Sequence, residues 1–402
     1  MSKIINFNSQ SKRLFSLGIL IFSGLGMRIL QFNGSLLIYL FILLVLNLKN
    51  IKKIPKRWAN IYIFLASSYS IIFLLKGVLI PWYVPVSMMI ALVCLSNYYN
   101  KPPKWFIEDF SKLLKIFMYY HLLGVLLIPL NFLFTSTFLG YSEYKTFLGL
   151  FWYNTKGGPS FFNGLRFTGI VWEVGIWQFF LNANLIFAFY FKKNLKYIFL
   201  SILAVITAFS TTGLILLVVV LLYSLILTNK IKFTHFLFIF VIGIFAFPFM
   251  KDNIVDKFTG KNAGSGLTRI ADIYSGILLI KNNPVLGSDV DNATASDNYE
   301  AYKIKKDLWN GNFTDGAFDG YITVKNSNGI MRFMIDWGLP FSLFLIFKAL
   351  RSNIFVDKKL MIFFILMLLI SMFSEAISRT GFFYFFILSG LIIKKKQLVN
   401  NV

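Results

Sequence analysis

Apolar runs close to 20 residues long alternate along the chain with short polar links in which lysine recurs. The runs predict twelve helical spans, at about 14–30, 34–48, 59–76, 81–97, 116–136, 167–191, 197–210, 211–228, 233–250, 330–349, 360–373 and 376–393. A helix needs about 20 apolar residues to cross ~30 Å of hydrocarbon. The spans at 197–210 and 211–228 are short for a crossing and meet at Ser210-Thr211-Thr212-Gly213 without any charge. That junction predicts a tight or re-entrant hairpin, since backbone breaks at membrane depth are tolerated where they line a protein cavity. Two longer polar stretches, 138–166 and 251–329, interrupt the pattern.

Composition agrees with the pattern and narrows it. The 402 residues are 57% hydrophobic, 18% aromatic and 14% charged, with a mean hydropathy of +0.69, which excludes a soluble globular domain. The expected fold is all-α, a polytopic transmembrane helical bundle forming one integral membrane domain over residues 1–402. A net charge of +23 could suggest nucleic acid, but its placement does not. Lys3, Lys12 and Arg13, the groups at 49–57, 101–115 and 192–196, Lys230 and Lys232, and those at 348–359 and 394–396 all fall on one side of the alternation. The positive-inside rule makes that side cytoplasmic. Both termini are then inside and the 138–166 and 251–329 loops outside, the second with nine Lys/Arg against ten Asp/Glu. The opening MSKIINFNSQSKR has no clear small-residue cleavage site, so the first run is expected to stay as a helix. Cys94 is the single cysteine, which excludes a disulfide framework and a cysteine metal site. His121 and His235 lie far apart in or beside apolar runs and read as packed or interfacial residues.

Against this background a few charged residues stand out. The stretch RFTGIVWEVGIWQ, from Arg166 to Gln178, opens an apolar run with an arginine and carries a glutamate deeper in it. On a helix, Arg166, Gly169 and Glu173 share a face, with Glu173 roughly 10 Å further along the axis. An ionised carboxylate facing lipid there costs about 2.5–3.5 kcal/mol or more, so Glu173 should face protein or a water-filled cavity. In the large outer loop, GLTRIADIYSGILLIKN (266–282) places Leu267, Ile270, Ile273, Tyr274, Ile277 and Leu278 at helical spacing. This predicts an amphipathic helix on or near the membrane surface. Arg269 and Asp272 fall on its polar side, and Asn283-Pro284 with Gly287 stop it. Further on, Asp289 and Asp291 form a DxD pair. In soluble glycosyltransferases such a pair holds a metal and a nucleotide sugar, which are not available outside the membrane. The sequons at Asn292 and Asn312 matter only in a eukaryotic secretory setting. Glu375 and Arg379, four residues apart between the last two spans, could pair with each other. Arg166, Arg269 and Arg379 all map to the outer side, where planar guanidinium forks suit a lipid-linked pyrophosphate. A nearby carboxylate could orient or deprotonate an acceptor hydroxyl.

These residues carry a family resemblance. RFTGIVWE is similar to the R-x-x-G-x-x-x-E/N-P signature of the bacterial O-antigen polymerase (Wzy-type) and O-antigen ligase superfamily, with Arg166, Gly169 and Glu173 matching and Val174 where proline is usual. AFSTTGLILLVVV, from Ala208, resembles its serine-containing hairpin. SGLTRIADIYSGILLIKNNPVLGSD resembles its outer-loop signature, an arginine-started helix ending in N-P-x-x-G, here Arg269, Asn283, Pro284 and Gly287. The ligases carry a His-Asn pair before the span that follows the large loop; Ser327-Asn328-Gly329 stands here instead, which argues for polymerase or for a ligase-like enzyme acting on another polymer. The resemblance implies a GT-C-like membrane glycosyltransferase of the bacterial inner membrane with its active site facing the periplasm. It would need no metal, cofactor or nucleotide sugar. Such an enzyme moves a growing glycan from undecaprenyl pyrophosphate onto the non-reducing end of an incoming lipid-linked repeat unit of O-antigen, capsule or exopolysaccharide. Carried over by position, Arg166 and Arg269 would hold pyrophosphate, with Arg379 as a further contact, and Glu173 would activate the acceptor. A flippase and a chain-length regulator are the expected protein partners. The competing classes are a ligase-like transferase, a flippase or other transporter, and a membrane acyltransferase, which would want a histidine in suitable company.

Overall fold

The computed structural model describes residues 9–25, 34–139, 142–155, 158, 162, 164–171, 173–228, 263–288, 327–375 and 377–393. The span expected at 233–250, His235, the Asp289/Asp291 pair, both sequons and most of the 251–329 loop lie outside these residues.

Five helices open the chain: α1 Ser9–Leu25, α2 Ser35–Ile51, α3 Lys56–Leu75, α4 Tyr83–Ser96 and α5 Lys104–Leu126. Pro55 and Pro103 stand just ahead of α3 and α5, where a fixed φ and a missing N–H cost least. After the sheet come α6 Val174–Tyr190, α7 Leu195–Thr207, α8 Thr211–Thr228 and α9 Ala263–Asn282. The chain then runs through α10 Gly329–Trp337, α11 Leu339–Ala349, α12 Lys358–Ser374 and α13 Gly381–Ile392. Asn194, Asn328, Asp357 and Thr380 cap α7, α10, α12 and α13 with their side-chain oxygens. Only α3 combines the length and hydropathy of a full crossing among the described helices, and the other apolar ones are shorter.

The surface is turned inside out relative to a protein in water. Phe41, Val45 and Leu48 of α2 and Ile63, Phe64, Ile71, Leu74 and Leu75 of α3 are exposed, while Ser16, Asn47, Gln178, Asn182 and Asn184 are buried. Apolar flanks suit lipid, and buried polar side chains bridge helices where lipid offers no partner. Gln178 Nε2 donates to Val205 O at 2.7 Å, Asn182 Nδ2 to Gly213 O at 3.0 Å and Asn184 Nδ2 to Ser201 Oγ at 2.9 Å, which ties α6 to the α7–α8 hairpin. Gly213 is glycine because a methyl group there would overlap the Gln178 amide. The expected hairpin is thus present, turning at Ala208–Ser210. Stacked and edge-on rings of Phe106, Phe110, Phe179, Phe364, Phe382 and Phe386 fill the centre.

Three sequence expectations are corrected. First, the fold is not purely α. The stretch 135–167 forms a four-stranded antiparallel sheet in the order β1 Thr135–Leu139, β2 Ser142–Phe147, β3 Phe151–Asn154 and β4 Arg166–Phe167. It sits on the end of α5: Tyr153 Oη donates to Gly124 O at 2.9 Å, and the ring of Phe167 lies where a Gly124 side chain would be. Second, α5 is displaced from 116–136, beginning in the basic link and ending at Leu126. Third, the span at 330–349 is broken at Gly338, whose φ of 73° and ψ of 156° no helix contains.

Candidate functional site

Arg166 and Glu173 do not share a helical face. Arg166 lies on β4 opposite Asn154, and Glu173 is the extended residue that precedes α6, with φ −138° and ψ 135°. The cause is local. Gly169 has a φ of 71°, and the Trp177 ring packs where its side chain would be. Thr168 is held by its N–H and hydroxyl, both donating to Trp152 O at 3.0 Å. The chain therefore turns between strand and helix instead of winding. Trp177 in turn donates from Nε1 to His121 Nδ1 at 3.0 Å, and His121 Nε2 faces Thr207 Oγ1 at 3.1 Å. His121 is thus a buried, satisfied strut beneath the turn, with no exposure.

The turn nonetheless leaves the two charges close enough to act on each other electrostatically. Burial pushes the Arg166 guanidinium below its usual value, and the carboxylates of Glu173 and Glu375 oppose that shift. The guanidinium stays cationic under such shifts. Its Nε is buried with no hydrogen-bond partner among the described residues.

From the other side comes α9. Its amphipathicity is inverted relative to a solvated helix: Tyr274 and Ile277 are exposed, whereas Ala271, Asp272, Ser275 and Leu279 are buried. The apolar stripe faces outward, as on a helix at a membrane surface, and the polar side faces protein. Arg269 reaches Ser327 Oγ at 3.0 Å and Glu375 Oε1 at 3.9 Å. Asp272 accepts from Ser327 N at 2.8 Å and from the Ser327 hydroxyl.

Glu375 is therefore within reach of Arg269, and its carboxylate, like that of Glu173, also acts electrostatically on Arg166. It lies beside the N-terminal turns of two helices: its Oε1 fills the space at Gly175 in α6 and its carbonyl the space at Gly329 in α10. A third N-terminus, that of α8, approaches through Thr212 Oγ1, 3.3 Å from Ser374 Oγ. Helix N-termini carry partial positive charge and orphan N–H groups, so the surroundings of Glu375 favour negative charge.

The expected Glu375–Arg379 pair is not formed as the primary contact. Arg379 grips Asp336 bidentately, Nε to Oδ2 and Nη2 to Oδ1 both at 2.6 Å, and also donates to the Tyr83 hydroxyl. Arg379 and Asp336 are both buried. The N-P-x-x-G segment docks beside this pair. Leu339 N donates to Pro284 O at 2.8 Å and Ser288 N to Ile335 O at 3.2 Å. Gly287 and Gly338 both have positive φ, and each presses against the other segment's backbone where a methyl group would overlap a carbonyl. Lys76, at the end of α3, donates to Ile335 O and Asp336 O at 2.9 Å and to Ser288 O at 3.3 Å, neutralising the C-terminal end of α10. Lys76 and Asp336 carried no sequence signal beyond being charges at span ends.

Residues 197–335 match a family model described as O-antigen ligase, which bears out the resemblance to the O-antigen ligase and polymerase superfamily. The matched region runs from α7 into α10 and contains Arg269, Asp272, Gly287 and Ser327; Arg166, Glu173 and Glu375 lie outside it. Searches of curated proteins and of solved structures return no match. The chain is accordingly a membrane-embedded helical protein with a glycan-transferase-like region.

Proposed function

We propose that this site transfers a growing glycan from undecaprenyl pyrophosphate to the non-reducing end of an incoming lipid-linked repeat unit, a polymerase reaction at the periplasmic face of the inner membrane. The observation that carries the reading is Arg269 at 3.9 Å from the Glu375 carboxylate, with the N-terminal turns of α6, α8 and α10 around that residue and Arg166 acted on by the same carboxylate. Two guanidiniums and three helix ends suit a pyrophosphate, and the unpartnered Arg166 Nε is a donor still to be used. As the phosphate oxygens bind, the arginines turn from Glu375 to the diphosphate.

In the transfer, the acceptor hydroxyl oxygen attacks the anomeric carbon of the donor glycan. The bond from that carbon to the pyrophosphate oxygen breaks, and the acceptor proton passes to a carboxylate, which we assign to Glu173. Arg166 and Arg269 stabilise the charge that develops on the leaving diphosphate. Arg379, spent on Asp336, acts as a strut rather than as a phosphate contact.

Ser327 stands where the ligases are expected to have histidine and is bound to both Arg269 and Asp272, which favours polymerase. The description of the matched family favours the ligase reaction as the second reading. Alanine substitution of Arg166, Arg269 or Glu173 in the native host separates them. Removing one preorganised charge stabiliser costs about 10²–10³ in kcat, so the polymer ladder should collapse to a single repeat unit while membrane protein level holds. Full-length polymer held on the lipid but absent from the final acceptor points to the ligase. Loss of even the lipid-linked unit outside the membrane points to a flippase, and full-length polymer on the final acceptor from all three variants contradicts the site.

A further inference from the structure

At the opposite, lysine-rich end of the bundle the ends of α1, α2, α4 and α5 enclose a cavity of about 950 Å³ that the transfer reaction does not use. Lys12, Lys49, Lys53 and Lys101 line it, and no aspartate or glutamate does among the described residues. Arg13 also borders it, but its charge is met by Asp109 at 2.5 Å. Four lysines in a concave site with no facing carboxylate concentrate positive potential.

The wall is built as well as charged. Asn97 is 4% exposed; its Oδ1 accepts from Asn50 Nδ2 at 2.8 Å, and its Nδ2 is buried with no hydrogen-bond partner among the described residues. A buried amide donor left open is unfavourable unless something accepts from it. The rim continues into the exposed apolar side chains of Val45 and Leu48 on α2, so the site has a cationic, hydrogen-bonding floor and an apolar edge. Trp105, beneath the guanidinium of Arg13 and the ammonium of Lys101, supplies an amphipathic ring at the boundary.

We infer that this cavity binds an anionic phosphate group, with the lysines of α1, α2 and the α4–α5 link around its charge and the Asn97 amide donating to one of its oxygens. The apolar rim suits the phosphate of an anionic phospholipid in the cytoplasmic leaflet, where basic pockets between transmembrane helices take such head groups. A soluble phosphate would satisfy the same donors.

The test uses the full chain in nanodiscs of neutral phosphatidylcholine, titrated with phosphatidylglycerol and, in a separate arm, with inorganic phosphate. Lys49 and Lys53 are both exposed, so the variant K49Q/K53Q leaves the packing intact. Each lysine near an anionic head group contributes about fivefold in affinity, so the double variant should bind phosphatidylglycerol at least tenfold more weakly. The variant N97A, which removes the donor without adding bulk, should also weaken it. Lipid binding that depends on these residues and that phosphate does not displace establishes a lipid site. Phosphate binding that the same substitutions abolish, with no preference for the anionic lipid, assigns the same donors to a soluble phosphate. Equal behaviour of wild type and K49Q/K53Q in both arms overturns the inference.

Discussion

Arginine chemistry made part of the site visible at the scale of single residues, because a guanidinium at an outer span end needs an anion. Arg269 does stand beside a carboxylate, that of Glu375, which also acts electrostatically on Arg166. Their partner was harder to read. Glu375 and Arg379 are four apart, which suggests a helical pair, but α12 ends at Ser374 and a 3-10 turn at Ile377–Arg379 separates them. The ring of Tyr83 and the carboxylate of Asp336, 43 residues away from Arg379, claim the guanidinium instead. That distance in sequence is why no local pattern announced the pair. Removing one member of a buried ion pair strands the other charge, at a cost of about 3–5 kcal/mol. D336A and R379A should therefore each unfold earlier in detergent, whereas E375Q, which keeps its size and whose ion-pair partner Arg269 is about a third exposed, should lower the midpoint less. Equal destabilisation by all three would contradict the separation of strut from site. Both stability and activity should be read for each variant, since only E375Q tests the site.

Among the elements, the ones that follow a helical period were legible, and their ends were not. α2, α3, α8 and α12 lie within a few residues of the apolar runs. The sheet was missed because the alternation in TSTFL, SEYKTF and FWYN was hidden behind the apolar residues that extend α5 through Ile128–Leu133. Yet the sheet decides where Arg166 stands, since β4 is its last strand. The break at Gly338 had a signal, Gly338-Leu339-Pro340, in a run otherwise fit for one helix. Its purpose appears only in three dimensions, where Gly287 and Gly338 let two backbones touch and the bonds from Leu339 N and Ser288 N close the junction. An alanine at 338 adds both left-handed strain and a clash with the Val285 carbonyl. We expect G338A to lose about 3 kcal/mol or more, seen as a lower midpoint for heat-induced aggregation in detergent. An unchanged midpoint would mean that the α9 docking carries no such constraint.

Over the whole molecule, one polarity orders the parts. Lysines gather at one end, where Lys12, Lys49, Lys53 and Lys101 surround a cavity. The two paired arginines, their carboxylates and the sheet lie at the other, and apolar side chains face outward between them. The sequence conveyed this polarity because it resides in composition and span order, both of which survive errors of several residues at each helix end. For α9 the expected apolar stripe is found facing outward, and the polar side with Asp272, which a solvated helix would show to water, packs against protein. In a bilayer, exposure and apolarity go together, so helical periodicity marks a face without saying which medium it meets.

The most direct measurement is transfer itself, by purified protein in liposomes supplied with the lipid-linked repeat unit and no other enzyme. Wild type should extend the unit into a ladder and release one lipid pyrophosphate per bond formed. R166A and R269A should do neither, at unchanged fold. A ladder from either variant at the wild-type rate, or none from the wild type, would contradict the account.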